Sequence, residues 1–192
     1  MTQRLRALAG GLELYALTLV GLLGLAVAVV TLGLGFGLGI VIALPAPLVA
    51  VRRLPNLVRR RTERWTGVAI STPYTAEPPR PVPQADGWYV RDKKLYKGPW
   101  WPRMADRIEW VLGDNATWRD LGWMLFAPVT GGLVGVLPAI LVVAGLALPW
   151  TDLLPFWAAV VAGAAAVVVG VALAPAALRA SARFHRRMLG GP

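Results

Sequence analysis

The chain has no cysteine and a single histidine, His185. Without cysteine there is no disulfide, no thiolate metal site and no cysteine nucleophile. A lone histidine cannot form a two-histidine metal site. Its neighbours Arg183, Arg186 and Arg187 oppose both its protonation and metal binding. Acids are also scarce, with ten Asp and Glu against twenty Lys and Arg. A Gly-rich phosphate loop with its lysine is missing: Gly33, Gly35, Gly37 and Gly39 resemble one in composition alone, because no basic residue follows them. These absences leave no catalytic, cofactor-binding or metal-binding constellation, and the chain reads as non-enzymatic.

What it has instead is apolar length. Hydrophobic residues make up 56% and the mean hydropathy is +0.56. Three runs carry no charge, Leu14 to Val51, Ala127 to Trp150 and Leu153 to Leu178. Each meets the roughly 20 residues a helix needs to cross about 30 Å of hydrocarbon. The first apolar block, residues 12–51, would be about 60 Å long as one helix and must fold back. The glycine-rich stretch Thr31 to Gly39 is the place to turn, since glycine on alternate positions weakens a continuous helix. The expected architecture is an all-α membrane protein with four transmembrane helices in two hairpins. Spans are placed at residues 12–31, 35–51, from Leu121 or Pro128 to Leu148, and 153–178. Arg4, Arg6 and the Ala26-Val27-Ala28 site suggest a signal peptide, but the apolar run continues well past a cleavable core, so it reads as a retained anchor.

Net charge is +10 with a pI of about 11.2. Position decides what that means. The basic residues fall at Arg4 and Arg6, from Arg52 to Arg119, and from Arg179 to Arg187, while the two short hairpin turns have none. The positive-inside rule therefore puts both termini and the middle segment in the cytoplasm of a cell (plasma) membrane. Anionic membrane lipid is the partner expected for the excess charge, and nucleic acid is not. The boundaries follow: a cytoplasmic N-terminus 1–11, hairpin one 12–51, a cytoplasmic and interfacial segment 52–120, hairpin two 121–178 and a tail 179–192. Asp152 is the one charge expected outside.

The middle segment holds the distinctive residues. Arg52 to Val68 reads as an interfacial amphipathic helix, with Leu54, Leu57, Val58, Trp65 and Val68 on one face and Arg52, Arg53, Arg59, Arg60 and Arg64 around the rest. A proline-rich linker, Ser71 to Gln84, leads to Gly87–Tyr96, a small β-hairpin pattern. A helix is expected over Arg103–Leu112, with Asp114 or Asn115 capping the next. Five tryptophans between Trp100 and Trp123 suit the headgroup zone. The candidate signalling and membrane-interface residues are Arg59, Arg60, Arg61, Trp65, Trp118, Arg119 and Asp120. Glu13 is a candidate intramembrane acid, with Arg4 or Arg6 as its expected partner. In span four, Ala159/Gly163 and Ala166/Gly170/Ala174 permit close helix contact within the bundle or between the protomers of a homodimer.

Gly67-Val68-Ala69-Ile70-Ser71-Thr72-Pro73-Tyr74, then Gly87-Trp88-Tyr89, Leu95-Tyr96-Lys97, Asp114 to Leu121 and Pro128-Val129-Thr130-Gly131-Gly132 occur in that order over nearly the whole chain. The pattern resembles the putative-sensor membrane domain of actinobacterial two-component sensor histidine kinases, and Thr117-Trp118-Arg119-Asp120-Leu121 is its most specific piece. The resemblance implies a four-span input module joined through its last helix to a histidine kinase core that acts on a response regulator. No phosphoacceptor-type helix lies within these residues, and His185 lacks that context. The resemblance therefore implies either a free-standing sensor protein or a kinase core outside them. With hairpin turns this short, sensing of an apolar ligand or of membrane state is expected. An accessory subunit of an ABC-type exporter is the alternative, though no ionisable group lies at mid-membrane to couple transport. A lipid-modifying enzyme has less support, since no histidine or paired acidic motif accompanies the loop acids.

Overall fold

The computed structural model describes residues 2–39 and 41–190, with the backbone alone at Thr2 and Ala43. Ile40, in the expected second span, and Gly191 and Pro192, in the expected tail, lie outside the described residues. Helix α1 is Thr2–Gly37, 36 residues without interruption. It starts earlier and ends later than the expected first span, because Gly33, Gly35 and Gly37 all continue the helix. The turn comes at the last glycine of the series, Gly39, whose φ of +71° suits a residue without Cβ.

The return leg departs from expectation. In place of one helix over 35–51 there is a short 3₁₀ turn at Val41–Ala43 and then α2, Pro45–Val51, of seven residues. Pro45 and Pro47 explain the break: neither can donate a backbone N–H to a preceding turn, so a helix starts at Pro45 rather than passing through it. Among the described residues, three helical segments are long and apolar enough to cross a membrane: Gln3–Gly37, Pro128–Trp150 and Phe156–Leu189.

Helix α3, Arg53–Thr66, continues the return leg and stops at Gly67, which has φ of +70° and caps the helix with its N–H on the Glu63 carbonyl. Pro55 is accepted because it lies in the first turn. The leg runs antiparallel to α1. Leu44 meets Gly35, Val51 and Leu54 meet Gly24, and Trp65 meets Gly10. Contrary to the expected interfacial helix, α3 packs on protein: Pro55, Val58, Arg59 and Thr62, spaced three and four apart, form its buried stripe.

Strands β1 (Tyr89–Arg91) and β2 (Lys94–Tyr96) pair antiparallel, Tyr89 opposite Tyr96. Asp92 and Lys93 at φ of +47° and +64° make the two-residue turn that matches strand twist. Helix α4 is Trp100–Gly113, and α5 is Asn115–Phe126 with Asp114 accepting the Ala116 N–H at 3.1 Å. A π-helical turn at Pro128–Gly132 leads into α6, Leu133–Ala147. The last helix, α7, is Phe156–Leu189. It extends well beyond the expected end at Leu178, since no glycine or proline interrupts Arg179–Leu189.

Helices α6 and α7 form the tightest pair, and small residues make it possible. A Cβ on Gly145 would lie 2.5 Å from the Gly163 carbonyl oxygen, and one on Gly170 would lie 2.7 Å from that of Pro138. Ala159, Gly163, Gly170 and Ala174 are thus spent inside the chain, on α6 and α1, rather than offered to a second copy. A graded outcome follows for thermal unfolding in detergent, followed by circular dichroism. Gly145→Ala forces backbone apart and should destabilise by about 1–3 kcal/mol. Gly33→Ala has nothing within 4 Å of its added methyl and should be neutral or stabilising by up to about 1 kcal/mol. Equal melting temperatures for the two variants would contradict this packing.

Candidate functional site

The end of α7 is held by arginines from two other helices, α3 and α5, and the arginine of α3 is held in turn by α5 and the linker. Arg59, on the buried stripe of α3, donates to Asp120 Oδ1 at 2.8 Å, to the Tyr74 hydroxyl at 2.8 Å, to Asn56 at 2.7 Å and to the Leu189 carbonyl at 3.1 Å. Tyr74, from the linker, donates to the other oxygen of Asp120. Two turns earlier on the same leg, Arg52 pairs with Asp114 at 3.0 Å, donates to Thr117, and lies 4.7 Å from the ring centres of both Tyr74 and Trp110. Both guanidinium groups are buried, Arg52 at 6% exposure and Arg59 at 2%.

The electrostatics are those of a closed cluster. A buried ion pair is held together by mutual attraction and hydrogen bonding, and removing one partner leaves a stranded charge; here the Nε atoms of Arg52 and Arg59 are buried without a partner. Burial raises the Asp120 carboxyl above its ordinary range, and the charge of Arg59 with hydrogen bonds from Tyr74 and Arg59 pulls against that rise. Burial likewise pushes the Tyr74 hydroxyl upward, reinforced by the negative charge of Asp120. Tyr74 is therefore a donor at any physiological pH, which is what Asp120 requires.

The last carbonyls of α7 carry the partial negative charge of the helix dipole and have no partner within the helix. Arg119, on α5, reaches the Met188 carbonyl at 3.2 Å and also the carbonyl of Gly190. Together with Arg59 on Leu189, it clamps this terminus from two helices. Just before the clamp lies His185, fully buried, whose Nδ1 accepts the Trp123 indole N–H at 3.0 Å, with Ser181 Oγ 3.3 Å from Nε2.

The expected residues therefore divide. Arg59, Arg119 and Asp120 come together in the clamp. Arg61 and Trp65 instead meet Glu13, at 3.1 Å and 2.9 Å. That corrects the expected pairing of Glu13 with Arg4 or Arg6: the return leg runs antiparallel to α1 and places α3 beside it. Arg60 and Trp118 are exposed and belong to neither group, although the Trp118 N–H finds the Leu112 carbonyl at 2.8 Å. Of the clustered tryptophans, Trp100, Trp101 and Trp118 face outward, whereas Trp123 is fully buried. Residues not singled out from sequence are Arg52, Tyr74, Thr117 and the Trp123–His185–Ser181 chain. Their usable signals were Arg52 as the first charge after the apolar run and Asp114 as a cap already placed.

A family model described as "Putative sensor" matches residues 7–189. No curated protein and no solved structure gives a match. The chain belongs to this sensor family, and with its three apolar helices it is a membrane protein.

The clamp carries a stability prediction. Asp120→Leu should cost about 3–5 kcal/mol, because Arg59 is left buried without its counter-charge. The double variant Arg59→Met with Asp120→Leu should recover most of that loss, since it removes both charges together. Thermal unfolding of the four chains of this cycle in one detergent decides the point, and additive losses would refute a coupled pair.

Proposed function

We propose that this chain is the membrane-embedded input module of a two-component signalling system. In this reading it senses an apolar ligand or the state of the bilayer and passes the response through α7 to a histidine kinase core and its response regulator. It does so without chemistry of its own. The observation that carries the reading is the double clamp on the end of α7, with Arg59 on Leu189 and Arg119 on Met188 and Gly190. An output helix must have an end whose position can differ between two states, and each state needs its own contacts. Polar contacts from two separate helices meet that need, because a shift of α3 or α5 changes them before it disturbs the apolar packing of α6 on α7.

The membrane topology belongs to the same proposal. The C-terminal half of α1 with the leg Val41–Val51 forms one inserted hairpin, and α6 with the apolar part of α7 forms the other. Both termini and residues 52–120 lie in the cytoplasm, as the distribution of Lys and Arg requires. Because the chain has no cysteine, each introduced thiol is unique. Asp152→Cys should react with a membrane-impermeant maleimide in intact cells, and Ser71→Cys only after the cells are opened. Labelling of Ser71→Cys from outside would reverse the orientation.

Signalling is tested by fusing the whole chain at α7 to a kinase core in proteoliposomes and measuring autophosphorylation with and without a membrane-fluidising alcohol. The unaltered fusion should change its rate severalfold. Arg119→Gln should hold one rate under both conditions, and Trp65→Phe, which loses the N–H to Glu13, should blunt the change. If both variants respond like the unaltered fusion, the clamp is not the output.

A further inference from the structure

Helices α1, α3 and α7 enclose a cleft of about 680 Å³ next to the Glu13 cluster. Three arginines line it, Arg6 on α1, Arg64 at the end of α3 and Arg179 on α7, and no carboxylate does. Among the described residues, none of the three forms an ion pair, whereas Arg52, Arg59, Arg61, Arg91 and Arg107 each have an acidic partner. Three like charges brought to one concavity by three separate helices repel one another, and an anion between them removes that repulsion. Gln3 and Thr66 add polar groups to the wall, and Ala7, Trp65, Pro175 and Leu178 form its apolar side. Leu178 is buried and the Trp65 ring forms one side, its N–H being occupied by Glu13.

The cleft also has a defined depth. It opens where the charge-free run of α7 ends at Leu178 and its first arginine follows. In a spanning helix that junction lies at the level of lipid headgroups. Pro175 lines the same cleft, and it has no N–H to give the Val171 carbonyl, so α7 bends most readily there. We infer that this cleft binds the phosphate headgroup of an anionic phospholipid, with the arginines on the phosphate and the acyl side against Trp65 and Leu178. A bound phosphate ties Arg179 to Arg6 and Arg64 across the Pro175 bend. It thereby fixes the angle at which the clamped end of α7 leaves the membrane. The regulatory part of this inference rests on the proposed sensory reading; the binding part does not.

The test uses the full chain in phosphatidylcholine nanodiscs doped with phosphatidylglycerol, with retained lipid read by native mass spectrometry. The unaltered chain should retain phosphatidylglycerol over phosphatidylcholine by roughly tenfold or more. Arg6→Gln, Arg64→Gln and Arg179→Gln together should abolish that preference. Arg53→Gln, Arg60→Gln and Arg80→Gln, an equal loss of charge at exposed arginines outside the cleft, should leave most of it. Displacement of the lipid by millimolar inorganic phosphate would identify the free anion as a ligand of the same arginine site. Retention in its presence would identify the lipid headgroup. Equal losses in the two triple variants, or no preference in the unaltered chain, would overturn the site. Should the first triple variant lose helicity, Arg64→Gln alone should reduce the preference and Arg64→Lys restore it in part; no difference between those two would also overturn it. No kinase output is read, so a failure here is separate from a failure of the sensory reading.

Discussion

Two buried guanidinium groups, Arg52 and Arg59, set the terms for the rest of the cytoplasmic half. Taking an arginine out of water is costly, and the cost is met only if carboxylates, hydroxyls and carbonyls surround it with good geometry. Those groups come from far along the chain: Tyr74, Asp114, Thr117, Asp120 and the carbonyl of Leu189. Each contact therefore fixes a distant segment. The linker is pinned at Tyr74 and the start of α5 at Asp114, while the end of α7 is pinned at its carbonyls. What composition suggests is a basic loop between two hairpins is instead a folded collar built around two charges.

How much of this was legible in the sequence depended on the range of the interaction. Asp114 as a helix cap and Gly67 as a stop are local features, and both were readable or nearly so from neighbouring residues. The β-hairpin was readable too, since a charged turn sits between two β-prone runs. The burial of Arg59 was not. A helix that lies on a membrane and one that packs on protein can share the same basic amphipathic pattern, and the acids that decide between them lie about sixty residues away. The single helix expected over 35–51 was misread for a different reason: composition records apolar length, but Pro45 and Pro47 divide it. Glu13 followed the same rule as Arg59, because its partner arrives only once the return leg runs antiparallel to α1.

Within the short stretch Thr117-Trp118-Arg119-Asp120-Leu121, three residues act on the clamp and the charges that support it. Thr117 accepts from Arg52, Arg119 holds the end of α7 and Asp120 neutralises Arg59. One turn of α5 thus presents contacts in several directions. That makes this short run harder to substitute than the spans around it. A span must be apolar and fit its neighbour, and many sequences do so. A buried charge cluster tolerates few substitutions, because each leaves an unpaired group.

Along α7 the basis of cohesion changes. From Ala159 to Ala174 it rests on close packing of small residues against α6 and α1, which salt and headgroup charge barely affect. From Ser181 to Gly190 it depends on hydrogen bonds and on guanidinium groups gripping carbonyls, which respond to nearby charge. Pro175 lies at the junction, where the helix has given up one of its own hydrogen bonds. A helix stiff at one end, electrostatically held at the other and weakened between them concentrates any imposed bend at one place.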